Sequence, residues 1–292
     1  MILTLQTYKM KAIFIYNKTS GKGKVIKAKD FIIKNLEEVF DKVDVVESLS
    51  EEHFIKTAKE SCGKYDALIF SGGDGTFNMT VNAIANENNR PILGVIPTGT
   101  INDAAKNFGI SKNIKKSAKI IKKQAVRQFD IGKLNDKYFV FTAAIGAFAD
   151  IPINTSKKDK KRLGPLAYYF KAIPSALKLR KIEGDIEVDG TKYRYRTPFV
   201  LIMNSTHIGG FKINPKSNIN DGKMDVFIVK PGLFNSLLKY LFARRRIKHY
   251  YGSNIKVQVN CPDYWDIDGE KGPKGEALIS VLPSHLSIYS KK

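Results

Sequence analysis

The sequence predicts an α/β fold in two parts: an N-terminal α/β domain built on a parallel sheet, and a C-terminal antiparallel β-sandwich domain. Short apolar runs alternate with amphipathic helical segments as far as residue 128, whereas strand-like segments follow one another from residue 129. The chain has 292 residues, which is more than a single hydrophobic core usually serves, and its hydrophobic fraction of 43% suffices for two cores. We therefore expect domains at 10–128 and 129–292, and leave open whether the last segment returns to the first domain.

Strands and helices alternate in the N-terminal half. The apolar run from Ala12 to Tyr16 predicts a strand, and the next segment predicts a helix because apolar residues recur on one face at Val25, Ala28, Ile32, Leu36 and Phe40. The pattern continues with strands at 43–46, 67–70 and 92–96, and with helices at 53–61 and 77–86. Repeated β-α-β units predict a parallel sheet, and such sheets bind ligands at the carboxyl ends of their strands.

The C-terminal half predicts an antiparallel sandwich or barrel. Its strand-like segments lie at 128–134, 138–144, 186–188, 193–203, 224–230, 255–259 and 277–282. Two predicted helical insertions, at 163–180 and 233–249, carry apolar faces beside runs of lysine and arginine. A basic amphipathic helix can lie on an anionic membrane, but ordinary core packing explains these apolar faces equally well.

A glycine-rich segment follows the strand at 67–70 and precedes a helix-compatible segment. It consists of Gly72, Gly73, Asp74, Gly75 and Thr76. Glycines let the backbone approach a ligand closely, and N–H groups at a helix start attract anions. Thr76 is expected to cap the helix, and Asp74 suits this place only if it meets a metal ion, a substrate proton or a backbone donor. The segment predicts a phosphate site for phosphoryl transfer, with a structural turn as the alternative.

Two further turns have the same setting. Residues 17–24 follow the first strand and residues 97–103 follow the strand at 92–96, and both turns combine glycine with small polar side chains. In the second turn Thr98 and Thr100 offer hydroxyl groups, whereas Asn102 or Asp103 can cap a helix or contact a ligand. Because the turns follow parallel strands, we expect them at the same sheet edge as the glycine-rich segment.

Carboxylates cluster in two segments of the C-terminal half. Residues 218–225 join Asp221 to a sharp turn, where the carboxylate and neighbouring carbonyl oxygens can hold a hard cation or form a simple Asp-Gly turn. Asp266, Asp268 and Glu270 follow one another at alternate positions. This spacing suits a general base, a metal site or both, and a solvated loop is the alternative.

The composition is strongly basic, with a formal net charge of +21 at pH 7 and an isoelectric point near 9.7. The excess indicates nucleic acid or an anionic membrane surface as a partner, or a lysine-rich surface with no specific partner. Two cysteines far apart in sequence favour a reducing cytosol. We find no secretory signal pattern and no stretch typical of a bilayer span, and Met10 is an alternative start.

These motifs, taken in order, resemble the bacterial diacylglycerol kinase family of soluble lipid kinases, with more distant likeness to sphingosine kinases, NAD kinases and phosphofructokinases. The resemblance spans about residues 12–289. The motifs that carry it are 17–21, 72–76, 97–103, Asn204 with Gly209 and Gly210, 218–225 and 268–270. Lys18, where the family usually has proline, and Ala104, where an aromatic residue is common, depart from the pattern without removing a reacting group.

The resemblance implies ATP and Mg²⁺ as cofactors and an active site in the cleft between the two domains. The residues implied to bind the nucleotide are Asn17, Lys18, Thr19, Ser20, Gly21, Ser48, Gly72, Gly73, Asp74, Gly75, Thr76, Asn78 and Thr100. Asp221, with backbone oxygens of Asn218 and Lys223, is implied to hold magnesium. The implied catalytic residues are Asp268, Glu270 and Asp74, with the general base left open between Asp268 and Glu270.

The implied reaction is transfer of the γ-phosphoryl group of ATP to the hydroxyl of diacylglycerol or a similar lipid alcohol. We accordingly expect a cytoplasmic protein, peripherally associated with an anionic membrane surface, that binds no nucleic acid and can form a homodimer. Two alternatives remain: a kinase of NAD or another soluble alcohol on the same scaffold, and a basic, non-enzymatic nucleic-acid-binding or regulatory protein. The second alternative predicts that the carboxylates of the family's motifs are lost from the sequence, and none of them is lost.

Overall fold

The structure, a computed structural model, describes residues 9–146, 182–229, 247–259 and 263–291. The chain divides into two compact units. Unit 1 contains the residues up to Arg127 together with those from Leu286 onward, and unit 2 contains Gln128–His285. The predicted insertion at 163–180 lies outside the described residues, as does the 233–246 part of the second insertion.

Unit 1 alternates strands and helices along the chain. Its strands are β1 (Lys11–Tyr16), β2 (Lys42–Glu47), β3 (Ala67–Gly72) and β4 (Ile92–Pro97). Its helices are a 3₁₀ turn at Ser20–Gly23, α1 (Lys24–Glu37), α2 (Glu51–Glu60), α3 (Asp74–Ile84), α4 (Asp103–Asn107) and α5 (Ile114–Lys122). The strands lie in the order β2-β1-β3-β4 with parallel neighbours, which confirms the predicted parallel sheet.

The core of unit 1 forms where the apolar periodicity predicts it. Val25, Ala28, Ile32 and Leu36 are buried on one face of α1 and belong to one hydrophobic cluster with sheet residues such as Phe14. Burying a side chain of this size stabilises the fold by about 1.5–3 kcal/mol. The helix is therefore held mainly by its packed face.

Helix α3 begins three residues earlier than the sequence pattern predicted. Gly73 is its N-cap residue, Asp74 is its first residue, and Thr76 lies inside the first turn. The expectation that Thr76 caps this helix is therefore wrong. An acidic residue in the first turn is favoured by the helix dipole, so Asp74 extends the helix into the glycine-rich segment.

Unit 2 is built from strands among its described residues. They are β5 (Val126–Leu134), β6 (Lys137–Phe139), β7 (Thr142–Gly146), β8 (Ile182–Val188), β9 (Thr191–Thr197), β10 (Phe199–Met203), β11 (His207–Ile208), β12 (Phe211–Lys212), β13 (Met224–Val229), β14 (Ile247–Gly252), β15 (Asn254–Val259), β16 (Tyr264–Ile267), β17 (Glu270–Lys274) and β18 (Ala277–Tyr289). The first residues of β5 and the last residues of β18 belong to unit 1.

Two antiparallel sheets form the sandwich. One has the order β14-β13-β10-β7-β16-β17 and the other the order β18-β15-β8-β9, with β5 paired to β18 and to β6. Ile145 and Trp265 from the first sheet share one buried cluster with Ile186, Val257 and Ile279 from the second. The predicted antiparallel sandwich is thereby confirmed.

Three segments of unit 2 differ from the sequence-based expectation. Residues 247–249, expected at the end of a helix, begin strand β14 and pair with β13. The run at 193–203 forms two strands, because Pro198 lacks an N–H group for the ladder and β9 and β10 then join different sheets. The run at 138–144 is likewise interrupted, since the N–H groups of residues 140–142 donate to a carboxylate of Asp268.

Strand β18 serves both units. Its first part pairs antiparallel with β15 in unit 2, and its last part pairs parallel with β4 in unit 1 through Ile288 and Leu93. Tyr289 is 1% exposed and belongs to the core of unit 1. Across the described segments, no helix combines the length and apolar character needed to cross a bilayer.

The core of unit 2 can be tested with the only tryptophan of the sequence, Trp265, as a fluorescent reporter. Ile186 is completely buried in the same cluster, so Ile186→Ala should lower the free energy of unfolding by about 2–5 kcal/mol through lost burial and a residual cavity. The measurement is urea unfolding followed by Trp265 fluorescence. The neighbouring exposed variant Asp185→Ala is the control, and equal effects of both variants would contradict the packing.

Candidate active site

Three loops of unit 1 meet at the carboxyl edge of the parallel sheet. The turn after β1 and the loop after β4 are joined by a 2.6 Å hydrogen bond between the hydroxyl groups of Ser20 and Thr98. The N–H of Thr98 also donates to the carbonyl of Gly72, at the end of β3, over 2.9 Å. The structure therefore brings together the three sequence segments that were predicted to share one edge.

Glycine permits the close approach of these loops. A Cβ atom on Gly73 would lie 3.0 Å from the Cα of Gly99, and one on Gly99 would lie 2.6 Å from the Cα of Gly73. Gly21 has a φ of +59°, and a Cβ there would lie 2.9 Å from the Cβ of Thr98. A side chain at any of these positions would push the loops apart, so the backbone itself lines this edge.

The turn after β1 is ordered by its own side chains. Asn17 Oδ1 accepts hydrogen bonds from the N–H of Thr19 over 2.8 Å and from its hydroxyl over 2.7 Å. Lys18 forms a 3.0 Å ion pair with Glu47 at the end of β2. Ser48 follows β2, and its N–H donates to the carbonyl of Tyr16 over 2.7 Å. The turn and Ser48 are thus adjacent at the end of β1.

Asn102 lies in the loop after β4 with an unusual conformation. Its φ is +54°, it is 6% exposed, and its Nδ2 donates to the carbonyl of Gly99 over 2.6 Å. Its Oδ1 is buried without a hydrogen-bond partner and would lie 2.7 Å from a Cβ on Gly99. Thr100, in the same loop, is exposed. An unsatisfied buried oxygen beside Gly73 and Gly99 can accept a hydrogen bond from a donor group of a ligand.

Asp74 holds the start of α4. Its Oδ1 accepts a 2.9 Å hydrogen bond from the N–H of Ala104, whereas the side chain of the N-cap residue Asn102 makes no cap bond. Burial raises the pKa of Asp74 to about 6, and the nearby charge of Asp103 acts in the same direction, while N–H donors at the start of α4 oppose it. Asp74 therefore meets a backbone donor, which is one of the three kinds of partner expected for it from the sequence.

Two lysines accompany these carboxylates, and sequence reasoning missed both. Lys106 pairs with Asp103 over 3.5 Å. The pKa of Lys112 is lowered chiefly by burial and next by the charge of Lys106, whereas Asp103 and Asp74 raise it. In the sequence, only their positions pointed to them, since Lys106 lies in α4 three residues after Asp103 and Lys112 follows the helix.

Asn78, another residue predicted to bind the nucleotide, forms hydrogen bonds within its own helix. It lies in α3, where both its carbonyl and its Oδ1 accept from Nδ2 of Asn82 over 3.0 and 3.2 Å. Its predicted contact with a nucleotide stays a prediction.

In unit 2, Asp130 organises the predicted metal loop. It is 0% exposed, and its Oδ2 accepts hydrogen bonds from the N–H groups of Asp221 and Gly222 over 2.9 and 2.7 Å. Its Oδ1 accepts from the N–H of Ser284 over 2.7 Å, and its carbonyl accepts from Asn204 over 3.0 Å. Sequence reasoning missed Asp130, although a charged residue within the apolar run of β5 was a signal, because such residues are rarely buried without partners.

Asp221 itself is exposed and held in place on both carboxylate oxygens. Oδ1 accepts from the N–H of Lys223 over 3.1 Å, and Oδ2 accepts from the hydroxyl of Tyr251. The loop thus offers the oxygen donors that Mg²⁺ prefers, on a backbone fixed by Asp130. A group of three or more His, Cys, Asp or Glu side chains suited to a metal is not found within the described residues. The predicted magnesium site differs from such a group, because it has only one carboxylate, that of Asp221, together with the carbonyl oxygens of Asn218 and Lys223.

The two catalytic candidates at the β16–β17 turn have different surroundings. Asp268 accepts three backbone hydrogen bonds, from the N–H groups of Val140 (2.7 Å), Phe141 (2.8 Å) and Thr142 (2.8 Å). Most of its lone pairs are therefore engaged. The side chain of Glu270, at the start of β17, is exposed, and its carboxylate forms no hydrogen bond or ion pair with the described residues. Of the two carboxylates, Glu270 is the one free to accept a proton from a ligand.

A parallel-sheet unit with glycine-lined loops, followed by an antiparallel sandwich that carries ordered carboxylates, fits the kinase-type phosphotransferases that the sequence resembles. Residues 11–134 match the family described as Diacylglycerol kinase catalytic domain, and residues 143–290 match the YegS C-terminal NAD kinase beta sandwich-like domain. The chain belongs to the diacylglycerol kinase family, which confirms the resemblance found in its sequence.

Individual relatives agree with this assignment. The diacylglycerol kinase of Bacillus subtilis (strain 168) is 33% identical over 293 residues, covering 97% of each chain. The diacylglycerol kinase of Staphylococcus carnosus (strain TM300) is 29% identical over 97% of this chain and 95% of its own. A crystal structure of a diacylglycerol kinase from Bacillus anthracis str. Sterne superposes with a TM-score of 0.83 at 26% identity, over 98% of this chain and 99% of that one.

The role of Asp130 predicts a large stability effect. Asp130→Asn places an amide where three backbone N–H groups need an acceptor, and should lower the free energy of unfolding of unit 2 by about 3 kcal/mol. Asp136→Asn removes the same charge from an exposed turn and serves as the matched control. Urea unfolding followed by Trp265 fluorescence measures both, and a loss below about 0.5 kcal/mol for Asp130→Asn would contradict this role.

The raised pKa of Asp74 predicts an unusual titration. Without nucleotide or divalent cations, its carboxyl carbon should titrate near pH 6 in ¹³C NMR, and Asp74→Asn identifies the signal. Because the folded chain binds this proton more tightly than the unfolded chain, whose reference pKa is 3.8, the contribution of Asp74 to stability decreases as pH rises from about 4 to about 6. Asp44, whose pKa is lowered chiefly by a hydrogen bond from Lys42, is an internal control. Titration of Asp74 below pH 4.5 would contradict the burial.

Proposed function

We propose that this protein is an ATP-dependent lipid kinase that transfers the γ-phosphoryl group to the hydroxyl of diacylglycerol or a similar lipid alcohol, giving phosphatidic acid or its analogue. The observation that carries the proposal is the convergence of three loops at the sheet edge, where the backbones of Gly73 and Gly99 touch and Asn102 leaves a buried oxygen unsatisfied. Parallel sheets bind nucleotides at this edge. The relatives named diacylglycerol kinase support a lipid alcohol as acceptor.

In this proposal unit 1 binds ATP. The N–H groups at the start of α3 and the backbone around Gly73 donate to the phosphates, and the small turn after β1 and Thr100 complete the contact. Asp74, ionised above pH 6, holds α4 and with it the loop that carries Asn102. Catalysis in this reaction class depends mainly on positioning and electrostatic stabilisation, so a rigid cradle is the main requirement.

Unit 2 supplies the acid-base chemistry. Glu270 accepts the proton of the lipid hydroxyl, and Asp268 positions Glu270 by fixing the turn between β16 and β17. Asp221, with the carbonyl oxygens of Asn218 and Lys223, would hold a structural Mg²⁺ ion, and Asp74 would approach the phosphates of ATP through magnesium, which when bound offsets their negative charge. A membrane-embedded acceptor also requires peripheral contact with a membrane, and this requirement gives the net charge of +21 a use at an anionic surface.

The activity is tested with purified protein, Mg²⁺ and γ-labelled ATP. The acceptors are a panel of lipid alcohols in mixed micelles, with diacylglycerol first, and NAD in solution as the alternative acceptor. Label in phosphatidic acid supports the proposal. Label in NAD alone would replace it with a soluble-alcohol kinase, and labelling of no acceptor would favour a protein without kinase activity.

The general base is tested by paired variants. Glu270→Gln should lower kcat by about 10²–10⁴-fold with unchanged unfolding, because it removes only the proton acceptor. Asp268→Asn should lower both activity and the free energy of unfolding, because it disturbs three backbone hydrogen bonds. Glu276→Gln, at an exposed position in unit 2, is the control. Full activity of Glu270→Gln would reject this assignment.

A further inference from the structure

A cavity of about 650 Å³ lies in unit 1, and none of the residues that line it belongs to the converging loops. It is lined by Ser111, by α5 and the residues just after it, and by Ser290 and Lys291 after β18. The N–H of Ser290 donates to the carbonyl of Ala125 over 2.9 Å, which ties these two walls together. The volume lies within the range of small-molecule sites, so the cavity can take a ligand of limited size.

The lining is strongly basic and uncompensated. Lys116, Lys119 and Lys123 recur along one face of α5, and Lys291 adds a fourth ammonium group. None of the four forms an ion pair with a carboxylate among the described residues, and no carboxylate lines the cavity. Two other lysines of the same helix are engaged elsewhere: Lys122 with Glu38, and Lys115 over the ring of Phe31 at 5.2 Å. The cavity therefore favours an anion.

The lining also has an apolar part. Ile120 and Ala125 lie among the lysines and are only half-buried, and the lysine stems add further hydrocarbon. A free inorganic anion would gain nothing from this surface. The lining residues include no aromatic ring on which a nucleotide base could stack.

We propose that this lysine cavity binds an anionic phospholipid, with the phosphate among the four ammonium groups and the adjoining carbon chain against Ile120 and Ala125. The binding is independent of catalysis, although its use, to hold the kinase at an anionic membrane, rests on the proposed function. Attraction of several lysines to a phosphate head group makes the affinity fall as salt rises.

The test is methyl NMR of the full-length protein with labelled isoleucine and alanine. The probe is dihexanoyl phosphatidylglycerol below its micelle concentration, compared with dihexanoyl phosphatidylcholine and with inorganic phosphate. Expected are saturable shifts of Ile120 and Ala125 with the anionic lipid, and affinities at least about tenfold weaker for the other two probes. Equal binding of inorganic phosphate would make this a free-anion site, equal binding of the neutral lipid would make it an apolar surface, and absence of shifts would reject the site.

Matched variants separate the cavity from general charge. Lys116→Gln with Lys119→Gln should weaken binding of the anionic lipid by at least about tenfold, whereas Lys115→Gln with Lys122→Gln removes the same charge from the same helix and should change it by less than about threefold. Circular-dichroism melting checks the fold of both. Equal loss in both variants would overturn the proposal. Lipid binding without kinase activity would reject the proposed function alone, and kinase activity without lipid binding would reject the cavity alone.

Discussion

The converging loops of unit 1 depend on one steric constraint, the close approach of the backbones of Gly73 and Gly99. These residues follow neighbouring parallel strands, so the sheet brings their loops together and only the absence of side chains lets them touch. The contact sets the position of Asn102, and the loop of Asn102 in turn is held by Asp74 across the start of α4. The geometry of these loops is therefore a result of backbone packing.

In unit 2 the corresponding constraint is that backbone N–H groups in turns need hydrogen-bond acceptors. Asp130 and Asp268 each accept three of them, and Asp189 accepts those of Ser253 and Asn254. An ionised acceptor makes stronger bonds than a carbonyl oxygen, and leaving such donors unpaired when buried is costly. Asp268, which the sequence suggests as a reactive group, thus fixes a turn, and the turns held in this way carry the exposed carboxylates of Asp221 and Glu270.

The sequence predicted the architecture well because apolar periodicity reports burial directly. The parallel sheet, the buried face of α1 and the sandwich all follow from it. The predicted ends of strands were wrong where a local group interrupted the apolar pattern. At Pro198 the missing N–H group divides one predicted strand, and at residues 140–142 the carboxylate of Asp268 takes the N–H groups. The glycine loops and the turn at Asp268 were predictable as motifs, but the function of Asp130 was not, since its three partners lie 91, 92 and 154 positions along the chain.

The shared strand β18 has a consequence for biosynthesis. Residues 286–291 leave the ribosome after all of unit 2, yet Ile288 pairs with β4 and Tyr289 packs edge-on against Phe40 at 6.3 Å in the core of unit 1. The first part of the chain to be translated is therefore the last to acquire its full core. Until then its sheet exposes an open edge at β4, a natural target for chaperones during translation.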